Sequence, residues 1–435
     1  MNALSRIRSV GLLALAALLI LAASCRSSGE EKTGAATATG GARATAAAQA
    51  TEDANAPLRA SDVGVTETEI VLGQHTGRSG AYASYWPISQ GMQAYFDYWN
   101  AEKGGVHGRK IRFVVKDDQT NPAVARTVVQ ELIEKDKVFA FTGNLGTPQH
   151  SAVADLINAQ KIPDLWVFTG AGKWNDPQNL PYTFGWTFSY PTESKILSEY
   201  AKKNWPGKKI GIFYQNDDFG KDYQKVFGQD VKTGQGALQV VAEQSYETTA
   251  SDISSQMQAL KNAGAEVVAL FSVPKFTILA FKFMRESGWR PLVIMSSVSA
   301  DPSVIEGAGA DLIEGTITAA YLPDISDDSN PDVQEHKRLM AKYAPGVTPS
   351  NFTLSGWAQA QLTVETLLRA GRNPTRESLV RAAESIKDFK GIAYGPYNTT
   401  KYDHHPLHCQ RPTKVEGGKF VQFGDLICAP VKDKP

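Results

Sequence analysis

From Ile70 onward the sequence alternates short apolar runs with amphipathic ones, and it does so in two series. "EIVLGQ" precedes the helical pattern of "YWPISQGMQAYFDYWNAE", and "KIRFVVKDD" precedes "PAVARTVVQELIEKD". "VFAFTG" then precedes an amphipathic stretch from Thr147 to Gln160, and "IPDLWVFT" supplies a fourth strand. Alternation of this kind builds a parallel sheet covered on both faces, because each helix must carry the chain back to the starting edge. The proline-rich, aromatic stretch "NDPQNLPYTFGWTFSYPTES" interrupts the series, and "KIGIFYQ", "LQVVAEQSY", "VVALFSV" and "LVIMSS" restart it. After "GTITAAYLP" come the helical segments "PDVQEHKRLMAKYA", "SGWAQAQLTVETLLRAG" and "TRESLVRAAESI", which are expected to return to the first unit. The tail from Tyr394 to Phe423 reads as a hairpin on the second. The expected fold is α/β: two doubly wound parallel-sheet lobes with several crossings, residues 62–184 and 319–392 in one and 185–318 and 393–435 in the other. A chain of 435 residues has room for both, since a single core stops growing at about 250–300 residues.

Ahead of the folded part, Arg6 and Arg8 form a basic n-region, Val10 to Ala23 an apolar run, and small residues lead to Cys25. The run is short of the ~20 residues a membrane span needs, so residues 1–25 read as an export signal. Its end, "LAASC", resembles the bacterial lipobox, in which the cysteine becomes the lipidated first residue. Leu21 stands one place further from the cysteine than usual, so plain cleavage after Ala22-Ala23-Ser24 is the alternative. Residues 26–61 are rich in Ala, Gly, Thr and Ser, with too little apolar surface to offset ordering entropy, and are expected to form a disordered tether. Cys409 and Cys428 remain. An oxidising compartment favours pairing them over leaving two free thiols.

Composition narrows the function. Lys plus Arg and Asp plus Glu number 45 each, so no net positive field gathers nucleic-acid phosphates. No GxxxxGK[ST] or strand-to-helix GxGxxG is present, and "TGRSG" lacks the lysine of a phosphate loop. GxSxG is missing too. "SVPK" matches S-x-x-K, but its would-be partner "KTG" precedes it. "DHHPLHC" gathers His404, His405, His408 and Cys409 without an activating base, and reads as surface or turn histidines rather than a zinc site. Neither a cofactor nor a metal is expected.

What remains is binding. In doubly wound sheets ligands sit beyond the carboxyl ends of the strands, where the first lobe places "TGRSGAY", "DDQTNP", "TGNLGTP" and "FTGAGKW". Helix-start N–H groups with Ser79, Thr147 and Thr169 hydroxyls suit a carboxylate, although the same hydroxyls also serve as helix caps. The second lobe offers Asp217, Asp218 and Phe219, and Ser272 to Lys275. Of six aromatics near the strand ends, Tyr82, Trp86, Trp166, Trp174, Trp186 and Tyr190, two or three are expected to reach a ligand.

"SGAYASYWPISQGMQAYFDYWNAEKGGVHGRKI", "DDQTNPAVARTVVQELIEKDKVFAFTGNLGTP" and "YQNDDFGKDY", in this order and spacing, resemble the type I extracytoplasmic solute-binding proteins of ABC importers, similar to the leucine/isoleucine/valine-binding protein. The resemblance covers roughly Val63 to Gly424. It implies two α/β lobes joined by a three-crossover hinge, with a ligand closed in the cleft between them. It also implies delivery of a small solute to a membrane permease by a monomer that meets the membrane only through its lipid anchor. No enzymatic activity or nucleic-acid partner follows from it, and an exported hydrolase is the remote alternative. Carried over by position, the carboxylate loop falls on Asn144, Gly146 and Thr147 and the next strand end on Phe168 and Thr169. The first loop contributes Ser79 and Tyr82, and the far wall Tyr190, Phe219 and Ser272. The acid that pairs with a ligand ammonium in that family would stand near Ser272 to Lys275, where this sequence has none. A carboxylate of branched-chain amino acid type is the primary expectation, with an aromatic or other organic acid as the alternative.

Overall fold

The computed structural model describes residues 56–434. The signal segment, Cys25 and the tether up to residue 55 lie outside them. The first sheet contains β1 (Glu69–Thr76), β2 (Lys110–Asp117), β3 (Ala140–Thr142), β4 (Asp164–Val167) and β5 (Thr183–Gly185), in the order β2-β1-β3-β4-β5. All its pairings are parallel.

Strand periodicity decides what covers each face. Ile70 and Leu72 enter one core with Met92 and Phe96 of the helix Trp86–Glu102 and Leu354 and Trp357 of the helix Asn351–Arg369. Val71, between them, enters the other with Ala125, Val129 and Leu132 of the helix Pro122–Glu134. That helix starts sharply because Pro122 occupies its first turn and the Asn121 side chain accepts from the Ala123 N–H.

The second sheet holds β6 (Lys209–Gln215), β7 (Gln239–Tyr246), β8 (Val267–Phe271), β9 (Leu292–Met295), β10 (Ile317–Ala320), β11 (Cys409–Glu416), β12 (Lys419–Gln422) and β13 (Ile427–Cys428). Its order is β12-β11-β10-β9-β8-β6-β7, with β13 beside β11. β6 to β10 pair in parallel, and the tail adds β11, β12 and β13 antiparallel at one edge. Cys409 and Cys428 face each other across β11 and β13 and are joined as a disulfide. The chain passes between the sheets after β5, after β10 and before β11. The helices Pro331–Tyr343, Asn351–Arg369 and Arg376–Ala383 pack on the first sheet.

Three local readings differ from the structure. Thr147 to Gln160 is two short helices, Thr147–Ser151 and Ala154–Ala159, and the Ser151 hydroxyl donates back to the Thr147 carbonyl (2.5 Å) near the break. His404, His405 and His408 are buried rather than on the surface. His404 stacks on Phe184 (3.9 Å between centroids) and meets the Thr183 carbonyl through Nδ1 (2.9 Å), so these rings fill the last crossing. At the start of the described chain, Arg59 N–H donates to Asn373 (3.0 Å) and Ser61 to the Pro374 carbonyl (2.6 Å), which fixes the end of the tether segment to the first lobe. Among the described residues no helix is long and apolar enough to cross a membrane, and no group of His, Cys, Asp and Glu is arranged to hold a metal.

Candidate functional site

The strand-end loops of both lobes meet around one cavity. The first lobe contributes Tyr82 and Tyr85 from the 3-10 turn Gly80–Tyr85, Leu145 to Thr147 after β3, and Phe168 after β4. The crossing helix Tyr190–Asn204 brings Tyr190, and the second lobe adds Phe219, Val273 and Val298. This wall contains no charged side chain.

Thr120, from the loop after β2, pins the first loop: its hydroxyl donates to the Ser79 carbonyl (2.8 Å) and accepts from the Tyr82 N–H (3.1 Å). Gly146 has φ of +100°, and a Cβ there would lie 2.8 Å from the Tyr82 ring and 2.3 Å from Gln149, so only glycine lets the β3 loop approach the tyrosine. Behind the loop runs a fully buried chain. His75 Nδ1 lies 2.8 Å from Asp118, His75 Nε2 3.4 Å from His150 Nδ1, and His150 Nε2 2.9 Å from Asp164. Asn144 closes it, donating to Asp164 (2.8 Å) and accepting from the His75 N–H (2.9 Å). Burial is the main cause that lowers the His150 pKa, and Asp164 opposes it.

One hydroxyl in the cavity wall, that of Tyr82, keeps an unclaimed proton, and the reason is a matter of counting donors. The Val273 N–H donates to Tyr246 Oη (3.1 Å), so the Tyr246 proton goes to Gln215 Oε1 (2.9 Å). The amide nitrogen of Gln215 then faces Tyr82 Oη (2.8 Å) and Asp217 Oδ2 (2.5 Å), an orientation fixed at both ends of the amide. Tyr82 Oη therefore accepts, and among the described residues its own proton has no acceptor. Thr147 Oγ1 lies 2.5 Å from Thr169 Oγ1, which also accepts from Trp174 Nε1 (3.3 Å) and the Ala171 N–H (3.3 Å), and either hydroxyl of the pair can donate to the other. Burial raises the Tyr82 pKa well above the usual phenol value, with Asp217 adding to the effect, so the ring stays a neutral donor.

Of the positions singled out in the sequence, Tyr82, Gly146, Thr147, Phe168, Tyr190 and Phe219 share this cavity. Ser79 lies outside its wall and donates to Asp117 (2.8 Å). Asn144 and Thr169 stand behind the wall, and Ser272 is buried beside Val273, bonded to Thr277 (2.7 Å). Of the six aromatics, Tyr82 and Tyr190 reach the cavity, Trp166, Trp174 and Trp186 are core, and Trp86 lines a different surface hollow. Tyr85 and Val298 were not singled out, and Leu145 and Val273 fell inside the segments Asn144 to Thr147 and Ser272 to Lys275 that were. The rule that ligands sit at strand carboxyl ends reaches Leu145, Val273 and Val298, and Tyr85 lies one 3-10 turn beyond Tyr82. A second chamber adjoins the first, and Phe168 and Val298 face both.

Two α/β lobes closed over a mostly apolar cavity define a solute-binding protein. The family model for periplasmic binding proteins matches residues 69–419, and the chain belongs to that family, whose members work outside the cytoplasm. Among curated relatives, Leu/Ile/Val-binding protein homolog 8 of Brucella melitensis is 28% identical, over 73% of this chain and 82% of its own. Leu/Ile/Val-binding protein homolog 7 of Brucella abortus is 24% identical, over 64% and 71%. A branched-chain amino acid ABC transporter protein from Thermus thermophilus, solved with bound valine, shares the fold at TM-score 0.75 and 23% identity, covering 83% of this chain and 97% of that one. A fatty acid ABC transporter substrate-binding protein from Thermomonospora curvata does so at TM-score 0.74 and 24% identity, covering 85% and 94%.

Proposed function

We propose that this protein is the solute-receiving component of an ABC importer. It captures a small organic acid between its lobes and hands it to a membrane permease. The observation that carries the acid is the unclaimed hydroxyl proton of Tyr82, with the Thr147 hydroxyl in the same wall, and the absence of a charged side chain from that wall. A carboxylate supplies the acceptor, and hydrogen bonds to a charged group are worth ~1.5–3 kcal/mol each. An α-amino acid would also bring an ammonium, and the wall offers it no carboxylate. Asp218, next to Phe219 in sequence, is paired with Lys173 (2.6 Å), and Asp217 stands one residue before it. Asp217 accepts from Gln215 and caps the Gly220 N–H (3.3 Å), and burial raises its pKa. The balance therefore favours an acid with an apolar body over a branched-chain amino acid, although named relatives include both a valine-bound protein and a fatty acid transporter protein. In this reading Cys25 carries the lipid anchor, the alanine-rich segment is the tether, and the protein acts as a monomer without cofactor or catalysis.

The test is a thermal-shift and calorimetric screen of the protein against branched-chain amino acids, aromatic acids and aliphatic acids. Ligand at 100 times its Kd stabilises by about 2.7 kcal/mol. Tyr82→Ala and Thr147→Ala are expected to weaken binding at least tenfold while the protein still folds. Tight binding of leucine, isoleucine or valine with no response to acids lacking an amine would sink the assignment of ligand chemistry. Unchanged affinity in both variants would sink the placement of the site.

A further inference from the structure

The second chamber lies next to the cleft on the side where the chain crosses between lobes. Its floor is the crossing after β10, with Ala320, Tyr321 and Leu322, and Phe352 and Phe420 close it from the two lobes. Most of its polar groups are already occupied. Tyr321 Oη and Ser355 Oγ bond each other (3.0 Å), Ser297 Oγ donates to Glu193 (2.5 Å), and Asp324 accepts from Ser326 (2.9 Å) and Asn351 (3.0 Å). Thr187 Oγ1 is buried there with no partner. An apolar occupant leaves all of these bonds intact. The partition from the first chamber is thin: Phe168 and Val298 face both sides, and Tyr85 of the first chamber meets Phe352 of the second edge to face at 5.0 Å.

We propose that the ligand is an elongated monocarboxylate, its head on Tyr82 and Thr147 and its unbranched apolar tail passing between Phe168 and Val298 into the second chamber. This rests on the carboxylate reading of the cleft and extends it from charge to length. On this placement the head occupies the cleft cavity and each further methylene enters the second chamber. Each methylene that leaves water on entering the second chamber should tighten binding roughly fourfold.

Straight-chain acids from butanoate to decanoate, titrated calorimetrically into the full-length protein, test this. The expected result is a Kd that falls with each added carbon and then levels once the second chamber is full. Ala320→Phe fills that chamber and should flatten the series. Thr187→Val keeps the shape and removes the one unpartnered hydroxyl, so the octanoate-to-butanoate affinity ratio should rise several-fold, which serves should Ala320→Phe fail to fold. Short acids that bind, with no gain or a loss beyond five carbons, would overturn the tail placement and leave the carboxylate reading standing. A ratio unmoved in Thr187→Val would likewise overturn the tail placement alone. No binding by any acid in the series would overturn both.

Discussion

Tyr82 concentrates the chemistry of the cleft in one atom. Its hydroxyl accepts from Gln215 (2.8 Å), so in the proposed site its own proton is the one offered to a ligand. Tyr82→Phe keeps the ring and deletes only that proton. A carboxylate ligand should bind about tenfold more weakly or worse, while denaturant unfolding shifts by under ~1 kcal/mol; equal affinity in the two proteins would refute the donor role. A different residue is expected to make stability depend on pH. His336 is buried against Trp357, bonded through Nε2 to Thr353 (2.9 Å), and burial lowers its pKa to about 3. The unfolded chain takes up that proton near pH 6.5 and the folded one near pH 3, so stability falls as pH drops through this window. The loss should reach on the order of 2 kcal/mol by pH 4.5, and His405, lowered to about 4 mainly by burial, adds to it. In urea titrations from pH 7 to 4, His336→Gln should decline less steeply than the parent. Parallel declines would show that His336 is not a source. At this scale the sequence revealed the loops better than the atoms. Tyr82, Thr147 and Phe168 sit where strand ends place them. Ser79 and Ser272 sit on the right loops, but their hydroxyls are turned to Asp117 and Thr277, and a side chain's partner in a neighbouring loop leaves no mark in local sequence.

The elements were legible wherever period and length agreed. β1, β2 and β6 to β9, and the helices Trp86–Glu102 and Pro122–Glu134, follow from alternation and proline starts. β5 did not, because Thr183–Gly185 is too short for a period and lies in a stretch whose prolines signal a break. Its strand character comes from β4 alongside it. β13 has only two residues, and what holds it is the bond between Cys409 and Cys428 together with pairing to β11. Loop closure over this separation is worth about 3 kcal/mol in the unfolded chain. The double variant Cys409→Ser/Cys428→Ser should lose about 2–3 kcal/mol in denaturant unfolding, and reductant should reproduce the loss in the parent. A midpoint insensitive to reductant would mean the tail is held by β11 and β12 alone.

Among the described residues several contacts span the two lobes, the Phe352 N–H to Asp301 (3.0 Å) beside the second chamber among them. Tyr82 meets Gln215, Tyr85 Oη donates to the Val298 carbonyl (3.1 Å), the Gly172 N–H donates to Asp222 (2.8 Å), and Lys173 pairs with Asp218 (2.6 Å). Hinge closure of this kind is a two-state equilibrium that a ligand biases by its preference for one state. Tyr82 and Tyr85 belong to the ligand cavity, so their contacts cannot be removed without changing the site. Lys173 and Asp218 form the contact that can be tested separately: their side chains are 37% and 55% exposed, outside the cavity wall. An exposed pair is worth at most ~1 kcal/mol and is screened by salt. Lys173→Ala should therefore reduce the closed population and raise the measured Kd by up to about fivefold at low ionic strength. The gap should shrink toward zero near 1 M salt, where the Debye length is ~3 Å. X-ray scattering should show the radius of gyration falling on ligand addition in both proteins, with more ligand needed in the variant. A fixed Kd ratio at every salt concentration would mean that Lys173 acts through its contact with the Trp174 ring (4.7 Å) and not through the bridge across the cleft.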